Sequence, residues 1–246
     1  MKIFLDTADL GEIERWLGEG IVDGVTTNPS IARRDGVRDI ESFTRRLAAR
    51  ISPRPLSVEV RSADRAGMLA EGRALARLAT NVAVKVPVIT ETGESCLGVV
   101  HRLAAEGVAV NVTAVLSFNQ ALLAAKAGAR FVSVFAGRVA DEGHDPAALL
   151  RSIRSWLDAW RGSGIRAELL AGSIRGVFDV QAAAASGAEI ITIPPPLIAK
   201  MLDHRYTRET VRQFNADACA VAPTPAAARA ASAAHRGNRE PGAPVR

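Results

Sequence analysis

The sequence predicts an α/β protein: a single (β/α)8 (TIM) barrel with an extra C-terminal helix. Three observations carry this expectation. Short apolar, β-branched runs recur eight times between Lys2 and Pro194. Segments with apolar residues at helical spacing separate them. Buried runs alternating with amphipathic helices imply parallel strands joined by right-handed crossovers, and eight such units in about 200 residues match this barrel. An open doubly wound sheet is the alternative, disfavoured because no G-x-G-x-x-G follows the first run.

In chain order, the expected strands are Lys2–Asp6 (KIFLD), Val22–Thr27 (VDGVTT), Leu56–Val60 (LSVEV), Val82–Pro87 (VAVKVP), Val108–Val115, Arg130–Phe135, Arg166–Gly172 and Glu189–Pro194. Gly, Pro, Asn and Ser bound them and supply turn geometry. Helical spacing is read from Ile13, Trp16 and Leu17, from Met68, Leu69, Leu75 and Leu78, and from Leu149, Leu150, Ile153, Trp156 and Leu157. Gly107, Gly128 and Gly187 stand where helices would stop. The domain plan is residues 1–206 for the barrel, 207–221 for one more helix and 222–246 for a disordered tail. The added helix, Thr207–Ala220, carries Val211, Phe214 and Ala218 on one side. The tail is rich in Ala, Pro, Gly and Arg, with too little apolar surface to offset its ordering entropy. A short helix near Ala226–Ala234 is the alternative there.

Composition excludes several classes. No apolar run approaches the roughly 18–20 residues of a membrane helix. Asp6 and Asp9 interrupt what would be a signal peptide's apolar core, so a cytoplasmic location is expected. Cys96 and Cys219 are too few for a disulfide framework. The four histidines show no ligand spacing, so no metal is implied. Of the formal net charge of +5, the part beyond Val221 supplies +3, through Arg229, Arg236, Arg239 and Arg246 against Glu240. The remaining +2 is mixed with acids along helices, which argues against nucleic acid as a partner.

Catalytic groups of such barrels sit at the carboxyl ends of the strands. Polar residues in or just past these apolar strands are therefore informative: Asp6, Thr26, Asn28, Glu59, Lys85, Asn111, Thr113, Ser133, Ser173 and Arg175. Lys85 alternates with Val84 and Val86, so a valine face turned to the helices leaves Ala83 and Lys85 pointing into the barrel. A barrel interior disfavours an ammonium and favours a free amine, which attacks a carbonyl to form a Schiff base. A structural ion pair with Glu59 or Asp6, or a lysine reaching out at the strand end, are the plainer readings. Asp6 and Glu59 can divide the proton transfers such chemistry needs, although Asp6 is equally a helix-cap candidate. Arg138, Ser173 and Arg175 suit a phosphate; surface ion pairs are the alternative for either arginine.

Several stretches together resemble the transaldolase family, in its short branch that also contains fructose-6-phosphate aldolase. They are FLDTADLGEI, GVTTNPSIA, VAVKVP, GVAVNVTAVLSFNQALLAAKAGA, FVSVFAGRVADEG, GSIR and ITIPPPLI, in the family's order over residues 1 to about 217. The resemblance implies Lys85 as the Schiff-base lysine and Asp6 as the acid/base at the sugar C4 hydroxyl. It implies Glu59 and Thr113 as holders of a proton-shuttling water. Thr26, Asn28, Asn111 and Ser133 would then hold the dihydroxyacetone portion, and Arg138, Ser173 and Arg175 the phosphate. Departures from the usual family pattern flank the pocket: Val134 for proline, Ala136 for valine, Gly172 for alanine, and one extra residue in KVPVITETGE.

The activity that the resemblance implies is transfer of a dihydroxyacetone unit from a ketose phosphate to an aldose phosphate, in the pentose phosphate pathway or in specialised sugar biosynthesis. No cofactor is implied. A lyase using free dihydroxyacetone is the alternative, as is a non-catalytic sugar-phosphate-binding barrel. The aldolase branch carries glutamine and tyrosine at the positions matching Glu59 and Phe135, so the pair in this chain points to transfer. The resemblance also implies a homo-oligomer, with a decamer among the forms it admits.

Overall fold

The structure, a computed structural model, describes residues 1–221. Eight parallel strands close into a barrel in chain order. They are β1 (Lys2–Asp6), β2 (Gly24–Thr26), β3 (Leu56–Glu59), β4 (Val82–Pro87), β5 (Val110–Val115), β6 (Phe131–Phe135), β7 (Glu168–Gly172) and β8 (Ile190–Ile193), with β8 pairing back onto β1. The expected fold class is thus found, with six strands shorter than their apolar runs. Val108 closes the preceding helix by donating to Leu103 O at 3.0 Å, so β5 starts at Val110. Pro194 has no N–H for the ladder, and β8 ends before it.

Alternation sorts the strand residues into two environments. Val82, Val84, Val86, Val110, Val112, Val132 and Val134 pack in the large core between strands and helices. Phe4, Ala83, Phe131, Leu170 and Ile190 form a separate cluster inside the barrel. Phe4 and Phe131 meet edge to face, with centroids 6.2 Å apart. Gly24 is the register partner of Phe4, and a Cβ on it would lie 2.7 Å from the Phe4 ring. The bulk of Phe4 therefore demands the absence of a side chain next door. Lys2 and Arg130 both pair with Glu168, at 2.5 and 2.6 Å, at the amino ends of β1, β6 and β7.

Two residues beyond this apolar layer the interior changes character. Phe4 is followed by Asp6, Gly24 by Thr26, Ala83 by Lys85, Phe131 by Ser133 and Ile190 by Thr192. Period-two geometry puts these polar groups on the same inward face, one layer nearer the carboxyl ends. Side-chain caps fix the helices between the strands: Asp9, Asn28, Asp39, Asp64, Ser117 and Asp145 each accept from helix-start amides, each cap worth about 1 kcal/mol.

The chain divides after Met201 into two compact units. Within the second, the added helix runs Arg205–Ala220, two residues earlier than expected at Thr207. An Arg205–Glu209 pair at 2.8 Å supports the extra turn, and Arg208 reaches back to Asp203. None of its residues is buried. The expected disordered tail, 222–246, lies outside the described residues.

Candidate active site

Lys85 sits in the middle of three strands in register, opposite Glu59 on β3 and Asn111 on β5. It is 4% exposed. Its Nζ donates to Thr27 O at 2.8 Å and lies 3.3 Å from Glu59 Oε2. The expected inward orientation holds, and so does the ion pair with Glu59. One geometry contains both, since a carboxylate beside an amine can serve as partner at rest and as proton acceptor during reaction.

Asp6 does not cap the helix that comes after it; Asp9 does, accepting from Gly11 N and Glu12 N. Asp6 Oδ1 instead accepts from Thr26 Oγ1 at 2.7 Å, and Thr26 Oγ1 also contacts Thr192 Oγ1. Burial pushes the Asp6 carboxyl above its ordinary value, opposed by the charge of Lys85, the Thr26 hydrogen bond and the charge of Arg34. A carboxyl so placed is suited to exchanging a proton with a bound hydroxyl.

A cavity of about 320 Å³ opens above these groups at the carboxyl ends of the strands. Asp6, Thr26, Asn28, Lys85, Ser133 and Phe135 line it, with Arg138 and Ser173 further out along the β6–β7 side. Asn28 Oδ1 caps its own helix, Pro29–Arg34. Asn111 is tied by Ser133 Oγ at 2.7 Å and by its own donation to Ser57 Oγ at 3.0 Å, a buried chain that sets the hydroxyl of Ser133. The Arg138 guanidinium lies 5.5 Å from the Phe135 ring centroid, a cation–π contact that orients it.

Glu59, Asn111, Thr113 and Arg175 do not line this cavity. Glu59 reaches Lys85 from a neighbouring cavity of about 340 Å³. Thr113 Oγ1 is buried with no hydrogen-bond partner, on the strand where the β5–β6 register shifts and Ala114 takes φ 57°. Arg175 is exposed and gives both terminal nitrogens to Asp141, the second at 2.6 Å. It thus takes the ion-pair alternative, while Ser173 and Arg138 keep the cavity. Ser173 adopts φ 59°, and its carbonyl oxygen fills the space that a Cβ on Gly137 would need. The strained loop after β7 is therefore seated on the helix after β6 through a glycine.

Three further polar residues line the cavity, Ser30, Arg34 and Thr192. Thr192 was legible as a hydroxyl in the apolar run IITI. Arg34 ends helix Pro29–Arg34, where a charge looks like any solvated face. A larger groove of about 590 Å³ lies on the outer surface, between helices Arg65–Ala76 and Leu97–Ala105. It is bordered by the pairs Arg65–Glu94 and Arg73–Glu106, and no inward-facing strand residue reaches it.

The site thus defines the class: a parallel (β/α)8 barrel with a buried lysine at its mouth, paired with Glu59 and sharing a cavity with Asp6. Such an arrangement can support amine chemistry at a carbonyl. The chain belongs to the transaldolase/fructose-6-phosphate aldolase family, whose model matches residues 3–235. It is 43% identical over 217 residues to a probable transaldolase of Roseobacter denitrificans, covering 88% of this chain and 96% of that one. It is 42% identical over 217 residues to a probable transaldolase of Streptococcus equi subsp. zooepidemicus, covering 88% and 97%. Among solved structures, a putative isomerase from Sinorhizobium meliloti is similar with TM-score 0.57 at 9% identity, covering 82% of this chain and 53% of that one. A mandelate oxidase variant matches with TM-score 0.52 at 16% identity, covering 79% and 64%. At such identities these two share the fold alone.

Proposed function

We propose that the protein is a Schiff-base transaldolase that moves a dihydroxyacetone unit from a ketose phosphate to an aldose phosphate. The observation that carries this is Lys85 Nζ, buried, fixed by Thr27 O and Glu59, and sharing a cavity with Asp6. In this reading Glu59 takes a proton from the Lys85 ammonium. The amine adds to the ketose C2 carbonyl, and that proton leaves with the hydroxyl as water to give the protonated imine. The Asp6 carboxylate takes the proton of the C4 hydroxyl. The C3–C4 bond then breaks, its electron pair enters the imine to form the enamine, and an aldose phosphate departs. The enamine C3 adds to the acceptor aldehyde, Asp6 returns the proton, and water releases the new ketose. The imine is the electron sink, so the chemistry calls for no metal or cofactor.

The catalytic residues in this reading are Lys85, Asp6 and Glu59, with Thr113 as a second holder of the shuttling water; its unpartnered hydroxyl supports that role. Thr26, Asn28, Ser133 and Phe135 form the sugar site, with Asn111 setting Ser133 from behind. Arg138 and Ser173 form the phosphate site, which Arg175 would join only on leaving Asp141. A place in the pentose phosphate pathway or specialised sugar assembly, a cytoplasmic setting and a homo-oligomer complete the proposal. Exposed Val211 and Phe214 on the added helix support the assembly. Among the described residues no helix is long and apolar enough to cross a membrane.

The test is borohydride trapping. With a ketose phosphate, the wild type should gain a reduced adduct on Lys85, identified by mass spectrometry, and Lys85→Met should trap nothing. An adduct on Lys126 or Lys200 instead would refute the site. An acceptor screen with several aldose phosphates then identifies the product sugar.

A further inference from the structure

Arg34 enters the cavity from the last turn of helix Pro29–Arg34. Its Nε and Nη2 donate to Asp35 Oδ1 and Oδ2 at 2.7 and 3.1 Å. Asp35 is anchored in turn by the segment just after β1, where Thr7 Oγ1 and Ala8 N donate to Oδ2 at 3.0 and 2.8 Å. The residue before Thr7 is Asp6. The same stretch of chain therefore carries the buried carboxylate and the clamp that keeps the largely exposed Arg34 side chain at the cavity's rim.

The groups facing Asp6 from the surrounding elements are few. Lys85 of β4 and Arg34 favour its charged form, Asp35 opposes it, and Thr26 of β2 donates to it, with Thr192 of β8 behind. Burial works against the Asp35 carboxyl too, but donors from Arg34, Ala8 and Thr7 hold it below its ordinary value, so it is a settled anion that fixes its neighbour. Of the two cations, Lys85 changes its charge through the reaction: it attacks as a neutral amine, is positive as the protonated imine and is neutral again as the enamine. A guanidinium does not deprotonate at any working pH. Of the two, Arg34 is thus the cation whose charge is constant, and it lines the same cavity as Asp6.

Building on the transaldolase reading, we propose that Arg34, held by Asp35, is the positioning residue for Asp6, stabilising the carboxylate that takes the substrate hydroxyl proton. It acts through Asp6 and not on the reacting atoms.

The experiment measures aldehyde release in a single turnover against pH, for wild type, Arg34→Gln and Arg34→Lys, with a ketose phosphate and an unphosphorylated ketose. Borohydride trapping of the imine at each pH reads the free-amine step, so aldehyde release divided by trapping reads the step that Asp6 serves. Activity rises as Asp6 ionises, and loss of a nearby cation moves that rise to higher pH. Arg34→Gln should therefore lose about threefold more activity at the acid end than at pH 8, with both substrates. Arg34→Lys should restore the wild-type profile. A uniform loss across pH would overturn the proposal as merely structural. A loss confined to the phosphorylated substrate would overturn it in favour of a phosphate ligand. Borohydride trapping on wild-type Lys85, run alongside, separates the two readings: no adduct refutes both, whereas an adduct with an unmoved Arg34→Gln profile refutes only this one.

Discussion

Glu59 and Lys85 are register partners on adjacent strands, and Glu59 Oε2 lies 3.3 Å from Lys85 Nζ with no residue between them. Glu59→Gln keeps the size and removes the charge. It should lower kcat about 100-fold, in the range lost with a positioned acid/base, while borohydride still labels Lys85. An unchanged kcat would reduce the pair to a structural contact.

Asp6 carries a stability cost that its replacement should reveal. Burial raises its carboxyl in the folded state above the unfolded value, so its favourable contribution at low pH is lost as pH rises through the folded value. Above the folded value the buried charge then destabilises. Asp6→Asn removes it and still offers an oxygen to Thr26. The variant should melt higher at pH 7.5, by about 2–4 °C per kcal/mol regained, with the gain shrinking on acidification. Carbon–carbon cleavage should be lost. A lower midpoint at pH 7.5 would contradict the assigned cause.

Arg138 and Arg175 should differ. Arg138 lines the cavity, whereas Arg175 is committed to Asp141. Arg138→Ala should raise KM for phosphorylated substrates by about 1.5–3 kcal/mol in binding terms. Arg175→Ala should cost less, as an exposed pair contributes little. Equal effects would mean that a bound phosphate draws Arg175 away from Asp141.

Phe135 bears on transfer against release. It lines the cavity with no hydroxyl to protonate the enamine. Wild type should show little cleavage without an acceptor aldehyde, and Phe135→Tyr should gain release of free dihydroxyacetone. Efficient acceptor-free cleavage by the wild type would promote the lyase reading.

The barrel was legible because its signals are local. Strand period, valine faces and the small Ala83 beside Lys85 together determined which way the lysine points. Strand ends were less so: Val22 and Arg166 extend apolar runs, but the hydrogen-bonded ladder begins only at Gly24 and Glu168. Partnerships over distance were not legible. Arg175 meets Asp141 across 34 positions, and Arg34 gains meaning only once Thr7 and Ala8 hold Asp35. Thr192 was the exception, a polar residue in an apolar strand that the same rule would have found.

The apolar plug of Phe4, Phe131, Leu170 and Ile190, closed at its far end by Glu168 with Lys2 and Arg130, has a kinetic consequence. Among the described residues, the reaction chamber then opens at the carboxyl ends of the strands. On the proposed chemistry the first aldose must back out before the second enters by the same route, with the three-carbon fragment waiting on the lysine. Initial rates should therefore give the parallel double-reciprocal lines of a ping-pong enzyme, and each aldose should compete with the other for the vacated space.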